Sequence, residues 1–318
     1  MIYLQLAGGL VLLFLGGSAL VRGAVSVARR AGLSPLVIGL TLVGFGTSMP
    51  ELVTSVDAAL AGSPGIALGN VVGSNIANIL LVLGAAALIY PMRVSSVAFR
   101  RDGALVLAAS LICVGVFFIG DIGRIAGLGL LALLAAYLLL MYRQESGSGV
   151  GTAAHQAADS DLAKAKPDKL WIGLIALIGG IALTIAGARL MVSGAIELAR
   201  IAGLSETVIG LTIVAIGTSL PELVTSLVAA VKREVDIALG NVVGSNIFNV
   251  LGILGVTVLV QPLSVPPELL NLDVWVMLAA TVVLVIFAVT AWRISRWEGA
   301  VLLGAYGIYV GYLVAMSG

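Results

Sequence analysis

A chain of 318 residues with 60% hydrophobic and only 10% charged side chains departs sharply from an ordinary soluble domain, in which about a quarter of residues are charged. That much apolar surface excludes a single soluble core and predicts an all-α integral membrane protein, because a segment crossing lipid satisfies its own backbone only by being helical. A net charge of +1, with the basic residues scattered between apolar runs, argues against nucleic acid as a partner and leaves the lipid bilayer as the expected surroundings; nothing calls for an obligate protein partner.

In chain order, Met1 to Gln5 carries no basic stretch, so the first apolar run reads as a retained span and not as a cleaved leader. Runs of roughly 20 residues, the length that crosses hydrocarbon, fall at 3–27, 35–61, 66–89, 103–120 and 124–142, then at 170–197, 206–231, 236–260, 272–290 and 298–316. Cys113, the single cysteine, lies in an apolar run and reads as a packing residue, with no disulfide to form. Residues 143–169 are rich in Gly, Ser, Ala and Lys and read as a flexible linker. The linker holds His155, Glu145, Asp159 and Asp161 without the spacing of a calcium loop. The expected organisation is therefore a first five-helix repeat over 1–142, a linker over 143–169 and a second five-helix repeat over 170–318.

An internal repeat supports that division. Gly32 to Gly84 aligns without a gap on Gly203 to Gly255, an offset of 171 residues, and 35 of the 53 positions are identical. Five spans per half is an odd number, so the second repeat enters the membrane from the opposite side, giving ten transmembrane helices as two inverted repeats. Charge agrees. Thirteen Lys and Arg, from Arg29 and Arg30 to Arg293 and Arg296, fall in loops opposite the N-terminus, against Arg124 and Arg200 on the N-terminal side. Under the positive-inside rule both termini face the outside or periplasm and the linker faces the cytoplasm, as expected in a plasma (inner) membrane. Inverted repeats are a recurring plan of transporters that bind substrate near the midplane.

The second span contains Gly44-Phe45-Gly46-Thr47-Ser48-Met49-Pro50-Glu51 and the seventh Ala215-Ile216-Gly217-Thr218-Ser219-Leu220-Pro221-Glu222. A carboxylate at mid-membrane costs several kcal/mol unless compensated, and no basic residue sits at the matching depth, so Glu51 and Glu222 read as cation ligands. Pro50 and Pro221 release the carbonyls of Gly46 and Gly217 as further oxygen donors. Thr47 and Ser48 lie four and three residues before Glu51 and are expected on its face, as are Thr218 and Ser219 for Glu222. The third span places Asn70, Ser74 and Asn78 on one stripe with Asn75 beside it, and the eighth repeats this with Asn241, Ser245, Asn249 and Asn246. Ser74, Asn78, Ser245 and Asn249 are assigned as ligands converging on the carboxylates. For Asn70, Asn75, Asn241 and Asn246, inter-helix hydrogen bonding stands as an alternative to a ligand role. The inventory is all oxygen, which suits hard cations.

Together, GTSMPE with GNVVGSNIAN and GTSLPE with GNVVGSNIFN resemble the paired alpha repeats of the calcium/cation antiporter superfamily, sodium/calcium exchanger branch. The resemblance implies ten helices and a secondary active antiporter exchanging Ca2+ for Na+, with no other cofactor. Calcium would be held by Glu51 and Glu222, and sodium by surrounding oxygens. Carried over, it implicates Gly44, Thr47, Ser48, Glu51, Ser74 and Asn78, and Ala215, Thr218, Ser219, Glu222, Ser245 and Asn249. It also implies that the first and sixth helices slide against the other eight, and Gly8, Gly9, Gly16 and Gly23 do match Gly179, Gly180, Gly187 and Gly194 at the repeat offset. Some members carry aspartate where this chain has Asn249. Asp57, whose counterpart is Val228, reads either as a solvated helix end or as part of an outer entry path. Ca2+/H+ exchange is the alternative within the class, and a cation channel the alternative outside it. An intramembrane enzyme is disfavoured because the serines have no histidine or lysine base at their depth.

Overall fold

The computed structural model describes residues 2–148, 169–201 and 215–317. The helices are α1 (Ile2–Ala31), α2 (Pro35–Thr47), α3 (Met49–Leu60), α4 (Pro64–Ile89), α5 (Ser96–Phe118), α6 (Arg124–Ser148), α7 (Leu170–Ile201), α8 (Ala215–Thr218), α9 (Leu220–Val231), α10 (Val235–Val260), α11 (Pro267–Asn271), α12 (Asp273–Thr290) and α13 (Arg296–Ser317). Among the described residues eight helices are long and apolar enough to cross a membrane, and the pair α2 and α3, bent by 43°, makes a ninth. The expected seventh span is described only from Ala215 onward, as α8 and the short apolar helix α9.

Several boundaries move. Arg143–Ser148, assigned above to the linker, continues α6 as helix, because leaving the hydrocarbon removes no backbone hydrogen bond from a helix that already satisfies itself. The rest of the linker through Asp168, His155 included, lies outside the described residues. For the same reason α5 begins at Ser96, before Arg100 and Arg101, and not at residue 103. The chain is also not purely helical, since two-residue strands form where connecting loops meet: β1 (Met92–Arg93) with β4 (Arg293–Ile294), and β2 (Asp121–Ile122) with β3 (Leu263–Ser264), both antiparallel. Strands of two residues are too short to leave a periodic pattern.

These bridges join the halves at both ends of the bundle, since α5 runs from β1 at one end to β2 at the other. Each is reinforced by an arginine that donates to the last carbonyls of a helix from the other half, a standard use of a cation at a helix C-terminus. Arg124 donates to Leu259 O (3.1 Å) and Arg296 to Leu88 O (3.1 Å). Residues 171 apart, at matching positions of the sequence repeat, touch: Ser110 and Thr281 share a 3.0 Å hydrogen bond, and Asn246 donates to the carbonyl of Asn75 at 3.3 Å. The turns match as well, with Gly62 (φ +72°) closing α3 to α4 and Arg233 (φ +61°) standing at the equivalent turn.

α4 and α10 are the enclosed helices, with 72% and 89% of their apolar windows buried, whereas α13 keeps 11%. The stripes Asn70–Asn78 and Asn241–Asn249 therefore lie on central elements. Ile125 and Ile308, on α6 and α13, are exposed as lipid-facing residues are.

α1 and α7 pack on each other along their length through glycines. A Cβ on Gly9 would stand 2.8 Å from Met191 N, on Gly16 2.6 Å from Thr184 N, and on Gly187 2.7 Å from Leu13 N. Gly23 against Leu177 and Gly180 against Leu20 are closer still. Among the described residues nothing lies within 4 Å of a Cβ built on Gly179, so the matched glycines do not all serve this seam. Gly16→Leu should destabilise the protein by about 1–3 kcal/mol through overpacking, read as a lowered melting temperature in detergent, while the same change at Gly179 should leave it unaltered.

Candidate cation-binding site

The site forms where the two halves each break a helix. α2 ends at Thr47 and α3 starts at Met49, with Ser48 between them at φ −82°, ψ 8°. Ser219 separates α8 from α9 at φ −87°, ψ 7°. Pro50 and Pro221 occupy the first turn of the following half-helix, where a missing N–H costs little. Each proline leaves the carbonyl four residues earlier, Gly46 or Gly217, without its usual donor. Glu51 and Glu222 lie in those same first turns, so each carboxylate sits at the positive end of a half-helix dipole. Both are buried, at 1% and 0% exposure.

The break redirects the serines. Ser48 Oγ donates to Glu222 Oε1 at 2.8 Å, and Ser219 Oγ to Glu51 Oε1 at 3.5 Å. Each serine thus serves the glutamate of the other half. Spacing along one helix places Ser48 and Ser219 near their own glutamates; the structure adds hydrogen bonds that cross to the glutamate of the other half. The crossed pairing draws both carboxylates into one polar cluster.

Asn70 and Asn241 clamp the cluster. Asn70 Nδ2 donates to the carbonyl of Glu51 (3.0 Å) and to Ser55 Oγ (2.8 Å); Asn241 Nδ2 donates to the carbonyl of Glu222 (3.2 Å) and to Ser226 Oγ (2.9 Å). Asn241 Oδ1 also accepts from Thr47 Oγ1 at 3.1 Å. Both therefore serve the hydrogen-bonding alternative, holding the glutamate backbone in place. Asn75 donates to Val71 O of its own helix at 2.7 Å, and Asn246 donates to Asn75 O of the other half at 3.3 Å while its Oδ1 has no partner among the described residues. Ser55 and Ser226 were not singled out from the sequence, although they lie four residues beyond the glutamates and repeat at the 171 offset.

Among the described residues, the buried polar atoms of the repeat motifs without a hydrogen-bond partner include Oε2 of Glu51 and of Glu222, Oγ1 of Thr225, Oδ1 of Asn78 and of Asn246, and both side-chain polar atoms of Asn249. An unsatisfied buried polar group costs about 1–3 kcal/mol, more when charged, so the oxygens in this collection suit a cation as their partner. Asn78 and Asn249 each open a short π-helical stretch, Asn78–Leu83 and Asn249–Ile253, and such bulges recur at functional sites. Ser245 Oγ donates to Gly44 O at 3.3 Å, and Ser74 is buried at 5% exposure. Gly44 sits at a backbone crossing, where a Cβ would stand 3.0 Å from Ser245 N. Ala215 is the first described residue of α8, and Thr218 lines a cavity beside Pro221. Among the described residues no group of three or more His, Cys, Asp or Glu side chains could hold a metal ion. The oxygens offered here, two carboxylates with neutral oxygens beside them, are a hard-ligand set.

The model of the sodium/calcium exchanger protein family matches residues 1–143 and 172–315, nearly the whole chain. The chain belongs to the sodium/calcium exchanger family. Within it, CaxA of Alkalimonas amylolytica is 40% identical over 96% of this chain and 95% of its own length. The sodium/calcium exchanger MaX1 of Methanosarcina acetivorans is 37% identical, covering 99% of this chain and 98% of that one. Among solved structures, the sodium-calcium exchanger NCX_Mj soaked with Na+ and Sr2+ superposes with a TM-score of 0.83 at 34% identity, covering 98% of this chain and 99% of that one. The exchanger fold is thereby matched over 98% of this chain.

Proposed function

We propose that this chain is a secondary active antiporter that exchanges Ca2+ for Na+ by alternating access, with ten transmembrane helices as two inverted five-helix repeats. The carrying observation is the pair of buried glutamates from the two broken helices, each held by the serine of the other half. Two carboxylates neutralise one divalent ion, and the unpartnered oxygens of Asn78 and Asn249 with the hydroxyls of Thr47, Ser48, Ser74, Thr218, Ser219 and Ser245 complete its shell or hold sodium. The carbonyls of Gly44 and Ala215 are assigned to the sodium positions. Because calcium and sodium compete for the same carboxylates, one must leave before the other binds, which couples their movement. The names of MaX1 and NCX_Mj as sodium/calcium exchangers support the ion pair chosen.

Both termini are placed outside and the linker in the cytoplasm. The β1–β4 and β2–β3 bridges each join loops that the ten-span topology puts on one side, and the excess of Lys and Arg in the loops opposite the N-terminus supports reading that side as cytoplasmic. The glycine seam makes α1 and α7 one body, the natural moving part against the remaining helices.

The test is Ca2+ uptake into liposomes containing the purified protein, loaded with Na+ and diluted into Na+-free medium at clamped pH. Uptake that follows the Na+ gradient is expected; uptake that follows only an imposed proton gradient would replace sodium by H+ as the counter-ion. In the same assay Asn241→Ala, which frees the Glu222 carbonyl and Ser226, should raise the Ca2+ concentration for half-maximal uptake by about ten-fold, equivalent to about 1.4 kcal/mol.

A further inference from the structure

The two repeats do not occupy the same state, and the difference exposes a pair of residues on the N-terminal side of the membrane. On the cytoplasmic side of the site α1 is closed against α9. A Cβ on Gly17 would lie 3.2 Å from Val224 and from Val228, and Lys232 Nζ donates to Ser18 Oγ (2.6 Å) and Ser18 O (3.1 Å). At the repeat offset of 171, Gly17 becomes Ala188, Ser18 becomes Arg189, Val224 becomes Val53, Val228 becomes Asp57 and Lys232 becomes Ala61. There the corresponding surfaces of α7 and α3 are parted by a cavity of about 150 Å3, lined by Val53, Thr54, Arg189 and Val192 and floored by Pro50 and Pro221 beside the glutamates. Asp57 lies one turn beyond Val53 and Thr54 on the same helical face, and both Asp57 and Arg189 are exposed. Neither makes an ion pair among the described residues.

The geometry points to Arg189 and Asp57 as the outer gate of the transport cycle: when α7 closes on α3 as α1 now closes on α9, Arg189 pairs with Asp57 and seals the cavity. In the closed inner contact the residue at the Gly17 position meets those at the Val224 and Val228 positions, and its neighbour reaches the position of Lys232. Transferred to the outer side, Ala188 meets Val53 and Asp57, and Arg189 stands over Asp57 and Ala61. Ala61 offers no polar atom beyond its backbone, so the polar closure falls to Asp57. The two gates are built with donor and acceptor exchanged. Inside, the cation (Lys232) is on the static helix and the acceptor (Ser18) on the moving pair; outside, the cation is on the moving pair and the acceptor on the static helix. Open, Arg189 places a positive charge in the cation path; paired with Asp57, it blocks that path with its charge neutralised.

This inference rests on the alternating-access reading, and the following test separates the two. In a Cys113→Ala background, which removes the one native thiol, Thr54→Cys places a reporter in the outer cavity of the full chain in right-side-out vesicles. Its modification by a membrane-impermeant maleimide reads how often that cavity is open, whichever ions are carried. Arg189→Glu and Asp57→Arg should each speed modification roughly three- to five-fold, the range a partly exposed ion pair supports, and each should slow exchange. The double variant, with the charges swapped, should return both readouts toward the parent, and Arg189→Lys should lie near the parent throughout. Unchanged labelling in the single variants, or a swap that labels as fast as either single change, overturns the gate. Absence of Na+-driven Ca2+ uptake in the parent would overturn the exchange reading while the labelling still decides the gate.

Discussion

Glu51→Gln and Glu222→Gln each reduce Ca2+ uptake to background while leaving the protein folded and monodisperse in detergent. Glutamine keeps the shape of glutamate and can still accept the hydrogen bond that Ser219 gives Glu51 or Ser48 gives Glu222, so the local scaffold survives. What is lost is half the negative charge facing a divalent ion in a buried place. Removing one member of a buried charge set costs about 3–5 kcal/mol, a factor of at least about 100 in affinity. The symmetry of the crossed serines predicts that the two variants fail alike. Wild-type flux from either would show that its carboxylate does not hold the transported ion.

Asn249→Asp is the second large change. Both polar atoms of the Asn249 side chain are buried without a partner, at the start of a π-helical stretch in the most enclosed helix. A carboxylate there adds a third negative charge beside two others, and such a charge persists in a membrane interior only when a cation or proton accompanies it. The exchange reaction should therefore acquire a further counter-ion: Ca2+ uptake by Asn249→Asp should depend more steeply on Na+ or become dependent on pH where the parent is not, with a rate change of roughly ten-fold. Unaltered Na+ and pH dependence would make Asn249 a bystander.

Much of this site was legible in the sequence because it is written twice. The repeat located Glu51, Glu222, the prolines and the asparagine stripes without any coordinates, and the length of the apolar runs placed them at mid-span. The crossed pairing of Ser48 and Ser219 was not legible, since it depends on the angle at each helix break and on which half faces which. Spacing along one helix points only to the glutamate of the same half. The π-helical turns at Asn78 and Asn249 change the helical register without any compositional mark. Asn70 and Asn241 had the right spacing for ligands, and only their short bonds to the Glu51 and Glu222 carbonyls distinguish a clamp from a ligand. The matched glycines of α1 and α7 announced close packing, but their partner could not be read from either helix alone.

Exchange at this site requires Glu51 and Glu222 to meet around one ion. Anomalous diffraction from crystals soaked in Sr2+, used as a heavy substitute for Ca2+, tests this most directly. A single strong peak between the two carboxylates, weakened by added Na+, is the predicted result. A peak elsewhere in the bundle, or carboxylates turned away from one another with no ion between them, would contradict it.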